Sequence, residues 1–338
     1  MVNYSEAQVV NYANDFLELG GFSASQALGN SDFSLICNSG AVFCNPAGLL
    51  SGDFSYDFQA MHNRYLDGLA SHDMISAAHQ VDTSLALGLG IMRVGIDNIQ
   101  NTINLVDAGG GFNYDGITYF SAADWAMFLS MACRPKWLPG NIACGINTKL
   151  IYRMEGDFAR AYGFGVDLSL SCRTARAVYS AILRDATTTF DFWSVDQSQF
   201  GPAYLATGNS VPQNRMELTA PSLILSSAWA WQMGAVGIDL SAAMRGYFAQ
   251  NGHYLLHSNV ISANPMTGVQ LNYKGVVFLR GGVSDWQYDK NSTLSNHLTV
   301  RGAFGAGLQL LRFRLDYAYS ATQSVGLGSN MITIGWSM

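Results

Sequence analysis

The sequence predicts an all-β chain: an antiparallel transmembrane β-barrel of about 14 strands, preceded by a short N-terminal helix and plug. Three observations carry this reading. Only 12% of the 338 residues are charged while 49% are hydrophobic, which excludes disorder and leaves too few charges to cover a soluble enzyme of this size. No run of about 18 uninterrupted apolar residues exists for a spanning helix. Apolar and polar residues instead alternate with period two, which sends one set of side chains to lipid and the next to a lumen.

The alternation is clearest in Phe313-Arg314-Leu315-Asp316-Tyr317-Ala318-Tyr319-Ser320, where odd positions are apolar or aromatic. Between 166 and 173, Val166, Leu168, Leu170 and Cys172 form the outward set, and Asp167, Ser169, Ser171 and Arg173 the inward one. The final residues repeat the rhythm with Ile332, Ile334, Trp336 and Met338, which is similar to a barrel-assembly signal with Met in place of the usual terminal Phe. Strands are expected to begin near Phe54, Met74, Ser84, Asp124, Asn141, Tyr162, Ala177, Glu217, Gly237, Gly268, Val276, Leu298, Phe313 and Asn330. Short turns then follow the even strands. Longer loops follow odd ones, at Asp97–Phe120, Asp185–Arg215, Ala249–Asn264 and Trp286–Asn296. Bacterial outer-membrane barrels have short periplasmic turns and longer outer loops, so both termini are expected to be periplasmic.

Residues 1–52 do not fit the strand pattern and are expected to plug or cap the barrel 53–338 from the periplasmic side. Tyr12 to Leu19 reads as a short amphipathic helix ended by Gly20-Gly21, and Asp32 to Leu50 is a compact, turn-rich stretch. The Met1-Val2-Asn3-Tyr4 start shows no export signal, so the chain is read as a mature one. Net charge is −6 with no basic stripe, which excludes nucleic acid as a partner.

Leu19-Gly20-Gly21-Phe22-Ser23-Ala24, followed by Phe43-Cys44-Asn45-Pro46-Ala47-Gly48-Leu49, resembles the N-terminal signature of the PorV/PorQ family. Asn147 to Arg153 followed by Ala161 to Leu168 resembles a mid-barrel hairpin of that family. Asp15 stands where the family usually has an arginine. The resemblance implies a fourteen-stranded FadL-like barrel serving type IX secretion or surface attachment.

Candidate sites follow from the facing of residues. Lys149, Asp167, Asp239, Arg245, Arg280, Arg301, Arg314 and Asp316 point inward. They form either a ligand path or, as the better reading, a set of internal ion pairs filling a plugged lumen, with Lys149 and Asp167 on neighbouring strands. Asn45, Pro46, Ala47 and Gly48 form a rigid turn that would act as a plug latch. Cys37 and Cys44 lie close enough for a disulfide or stand as free thiols. Cys133, Cys144 and Cys172 fall in the outward set and read as small hydrophobes rather than metal ligands. Phe190, Phe192, Trp193, Phe200 and Tyr204 make the 185–215 loop too aromatic for a solvated one, so it covers the mouth or docks a partner. Trp125, Tyr152, Trp229, Trp231, Tyr317, Tyr319 and Trp336 suit interfacial girdles. No HExxH, CxxC, GxSxG or P-loop occurs, so neither an enzyme nor a cofactor is expected.

The expected role is a barrel in the bacterial outer membrane that docks, through loops and plug, with secretion-complex or other outer-membrane proteins. The alternative is a FadL-like transporter of small hydrophobic molecules such as long-chain fatty acids. The bilayer, with bound lipid, is the remaining partner.

Overall fold

The computed structural model describes residues 13–105, 110–198, 201, 205, 210–248, 254–258, 260–290, 296–322 and 326–338. Its alternating segments form one closed antiparallel wall. The strands are β1 Tyr56–Tyr65, β2 Ala70–Gln80, β3 Leu85–Asn101, β4 Thr118–Cys133, β5 Ile142–Glu155 and β6 Ala159–Arg173. Then come β7 (Ala177–Arg184 and Thr189–Val195), β8 (Arg215–Thr219 and Ser222–Met233), β9 Val236–Tyr247 and β10 Ser262–Tyr273. β11 Val277–Lys290, β12 Asn296–Leu310, β13 Phe313–Thr322 and β14 Gly328–Ser337 complete the wall. The sheet contains seventeen hydrogen-bonded segments. β7 and β8 are each broken in two and Leu256–His257 is a two-residue annex, so the wall has fourteen strands. β1 pairs with β14 from Asp57↔Ser337 to Arg64↔Asn330, which leaves no open edge.

The pleat sorts side chains as the pattern requires. On β13, Phe313, Leu315 and Tyr317 are 66%, 50% and 42% exposed, whereas Asp316 and Ala318 are 1% and 0%. The outward set meets lipid, where its exposure costs nothing. Outward Cys133, Cys144 and Cys172 are partly exposed on this surface. Trp229, Trp231 and Trp336 stand near the end that carries the short turns, and Trp125, Tyr152 and Tyr319 toward the other. That short-turn end carries the connections 81–84, 134–141, 174–176, 234–235, 274–276 and 311–312, with the start of β1 and the end of β14. The opposite end carries the long connections 102–117, 196–214 and 248–261, together with short ones at 66–69 and 156–158.

The 185–215 loop is shorter than expected. β7 resumes at Thr189 and pairs with β6 from Phe164↔Phe190 to Ala159↔Val195. Phe190, Phe192 and Trp193 are therefore wall residues, with Phe192 exposed outward and Trp193 buried inward. Phe200 and Tyr204 lie outside the described residues. The break has a local cause: Asp185 and Thr188 take positive φ values of 53° and 61°, while β8 is interrupted at Ala220-Pro221, where Pro221 has no N–H to donate.

Residues 13–52 occupy the lumen along its length instead of capping one end. They comprise a 3-10 turn Asp15–Glu18, where a longer helix was expected, then helices α1 Ser23–Ala27 and α2 Ala41–Cys44 and a 3-10 segment Pro46–Leu50. Val42, Ala47 and Leu49 are completely buried. Two wall glycines let the plug backbone approach closely. A Cβ on Gly145 would lie 2.3 Å from the Ala47 nitrogen, and one on Gly282 would lie 2.1 Å from the Leu28 carbonyl carbon. Among the described residues, no helix is long and apolar enough to cross a membrane.

Candidate functional site

The latch Asn45-Pro46-Ala47-Gly48 sits against β5 to β7. Pro46 opens the 3-10 segment, and Asn45 is extended (φ −148°), which turns its side chain to the wall. Its Nδ2 donates to the Phe33 carbonyl at 2.6 Å and to Ser171 Oγ at 3.0 Å, and Ser180 Oγ lies at 3.2 Å. The Ala47 N–H donates to Ser169 Oγ at 3.0 Å, and Asn147 Nδ2 to the Val42 carbonyl at 2.9 Å. Ser34 Oγ lies 3.0 Å from both Ser180 Oγ and Ser226 Oγ, donating its one proton to one and able to accept from the other. Arg184, which the sequence reading overlooked, donates to the plug carbonyls of Phe43 (2.7 Å) and Leu17 (3.3 Å). This web satisfies backbone groups that would otherwise be buried without partners. In this geometry the latch is a fixed anchor.

All eight lumenal charges face inward, but they form separate sets. Lys149 bridges Asp167 at 2.8 Å and Asp185 at 2.5 Å. Arg280 meets Asp316 at 2.5 Å and Gln270 at 2.6 Å, and Gln270 donates to Asp239 at 2.8 Å. Arg314 reaches Asp57 at 3.3 Å and Asp316 at 3.8 Å. Arg245 pairs with Glu18 at 3.1 Å, and Arg301 with Asp285 at 3.1 Å. Seven of the eight are thus ion-paired within the lumen, while Asp239 is held by the Gln270 amide. Asp57, Asp185, Asp285 and Gln270 were missing from the sequence reading. A cavity of about 400 Å³, lined among others by Cys37, Asp239, Gln270, Arg280 and Arg314, lies between this network and the plug.

Cys37 and Cys44 are both free thiols, the second of the two alternatives that the sequence left open. α2 directs Cys44 into the plug interior, where its Sγ would lie 3.1 Å from a Cβ on Gly21, while Cys37 is exposed and borders the 400 Å³ cavity. Seven residues of turn and helix send the two side chains to different faces. Among the described residues no group of His, Cys, Asp and Glu is arranged to hold a metal ion.

A cleft of about 750 Å³ opens at the long-connection end. Ile103, Phe120, Phe158, Trp193 and Val195 supply apolar surface, and Glu155 and Arg215 supply charge. Phe120 and Phe158 meet edge to face at 5.1 Å. Trp193 donates its Nε1–H to Glu217 at 3.0 Å, and its ring carries the Arg153 guanidinium at 5.0 Å. Arg153 is held by Asp124 at 2.8 and 3.2 Å and faces Phe16 on the plug at 5.9 Å. Beside them, burial and then Glu18 raise the Asp15 carboxyl to about 6, with Arg153 opposing. Of the aromatic loop candidates among the described residues, Trp193 lines this cleft and Phe190 and Phe192 do not. Phe120 and Phe158 were not anticipated, because a Phe near a strand end reads as a girdle residue.

No family model matches the chain, and no curated protein matches it. Solved structures share its fold. The CymD monoaromatic hydrocarbon channel is similar at a TM-score of 0.58 and 11% identity, covering 94% of this chain and 98% of that one. The Pseudomonas putida toluene transporter TodX gives 0.58 and 12%, over 94% and 96%. The Ralstonia pickettii toluene transporter TbuX gives 0.56 and 11%, over 94% and 98%. At such identity the likeness establishes the fold alone, a fourteen-stranded barrel of the bacterial outer-membrane type in contact with lipid. The secretion role implied by the PorV/PorQ resemblance gains no support from it.

Proposed function

We propose that this chain is an outer-membrane channel protein that takes up small hydrophobic molecules, with no catalytic step. Residues 1–52 are its plug and 53–338 its barrel, with the short-turn end and both termini periplasmic and the cleft facing outward. The observation that carries this reading is the aromatic cleft of about 750 Å³ above a plugged lumen. It is large enough for a small ligand, and its apolar surface from Ile103, Phe120, Phe158, Trp193 and Val195 is set among polar residues such as Gln100, Asn101, Gln213 and Asn214. The fold is shared with proteins described as monoaromatic hydrocarbon and toluene channels, which supports uptake over docking.

Because the plug fills the lumen, release requires plug movement or passage through the wall, whose regular pairing is broken in both β7 and β8. The docking reading, a PorV-like capture of exported proteins, rests on the N-terminal sequence resemblance. Its aromatic loop has lost Phe190, Phe192 and Trp193 to the wall.

Titration of the detergent-solubilised barrel with a neutral monoaromatic, followed by tryptophan fluorescence, tests the proposal. Saturable quenching is expected, weakened about tenfold or more by Phe158→Ala, since a buried aromatic contact is worth 1 kcal/mol and upward. Linear, unsaturable quenching unaffected by that change would refute it.

A further inference from the structure

The cleft itself carries one acid and one base, Glu155 and Arg215. The described parts of the connections beside it, 102–105, 110–117, 156–158, 196–198 and 210–214, add Asp115, Asp157 and Asp196 and no Lys or Arg. Asp196 is kept ionised by the Ser198 hydroxyl and N–H, which hold its carboxyl below the usual range. Glu155 lines the cleft, and no ion pair engages it among the described residues. The cations nearby are already taken. Arg215 lies 2.5 Å from Glu217, Arg160 lies 3.8 Å from Asp157, and Arg153 is clamped by Asp124 beneath Trp193. A carboxylate entering the cleft would therefore meet aromatic faces and like charge with no free cation. Deeper on the inward row of Trp193, Asp191 is completely buried, and its Oδ1 has no hydrogen-bond donor. Its other oxygen accepts from Asn14 Nδ2 at 2.5 Å, so it belongs to the plug contact and not to the cleft lining. Aromatic faces beside the Glu155 carboxylate favour an ammonium group, through the ring quadrupole and Coulomb attraction together.

We propose that the cleft selects hydrophobic amines, protonated organic cations with an aromatic or alkyl body, over the matching carboxylates. This rests on the uptake reading and names its substrate class. Trp193, Phe120 and Phe158 would hold the body, and Glu155 would face the ammonium.

The test uses the full chain in a nonionic detergent at neutral pH. Binding is measured calorimetrically for three molecules of similar shape: phenethylamine, ethylbenzene and 3-phenylpropionate. The amine is expected to bind about tenfold more tightly than the carboxylate, a gap that shrinks severalfold in about 0.5 M salt and in Glu155→Gln. Equal affinity for all three, or a preference for the carboxylate, would overturn the proposal and leave uptake of hydrophobic molecules standing. Saturable binding of none would remove both. Glu155→Lys guards against a gap that arises elsewhere: it should reverse the order of amine and carboxylate, and an unchanged order would assign selectivity to another site and defeat the proposal.

Discussion

The two sides of the lumen hold the same plug by different means. Along β5 to β7, small neutral groups do most of the work: Ser169, Ser171, Ser180 and Asn147 bond directly to the plug backbone or to Asn45, joined by the buried Arg184. Along β9 to β13, Ser241 reaches Ser31 and glycines admit α1, but below them the wall carries Asp239, Gln270, Arg280, Arg314 and Asp316, and a cavity remains. The difference teaches how a lumen is sealed. A hydroxyl or amide is cheap to desolvate once it is bonded, so wall and plug can touch. A long charged side chain is either enclosed by partners, as Lys149 is by Asp167 and Asp185, or left beside open space, as Arg280 and Arg314 are along the cavity.

The largest effect should come from placing an unpaired charge on the sealed side. Lys149→Met leaves Asp167 and Asp185 buried together and should cost about 3–5 kcal/mol. Arg280→Met should cost clearly less, because Asp316 keeps Arg314, which borders the cavity. Thermal unfolding midpoints in detergent compare the two, and equal losses would erase the distinction between the sides.

Next is steric exclusion. Gly145→Val drives a side chain into Pro46 and Ala47, at a cost of about 1–3 kcal/mol. Loosening of the plug should appear as ion conductance across a planar bilayer, whereas a silent variant would mean that the plug is anchored elsewhere. Asn45→Ala should cost about 1–2 kcal/mol in the same unfolding assay, since it strands the Phe33 carbonyl. The smallest perturbation is chemical labelling. With the lipid-facing Cys133, Cys144 and Cys172 replaced by Ala, a small maleimide should modify Cys37 in the folded barrel and reach Cys44 only on unfolding. Two unreactive thiols that appear after reduction would restore the disulfide.

Much of the wall was legible because lipid and lumen impose a strict period of two, as in Val166 to Arg173 and Phe313 to Ser320. Legibility failed where the phase slipped. In β7 the inward row runs Ser180, Ile182, Arg184 and then Thr189, Asp191, Trp193. Even positions give way to odd ones across the break, so a period-two scan reads the second half as loop. Charge partners were legible on adjacent strands, as for Lys149 and Asp167, but Asp57 and Arg314 meet only because the barrel closes its first strands against its last. The cleft was least legible. Phe120, Glu155, Phe158 and Trp193 come from four strand ends, and only the wall brings them together.

The most direct test of the central claim is crystallographic: anomalous scattering from the barrel soaked with bromobenzene. The account predicts a bromine peak in the cleft among Phe120, Phe158 and Trp193. Bromine confined to the lipid-facing surface or to the cavity beside Arg280, with the cleft empty, would contradict it.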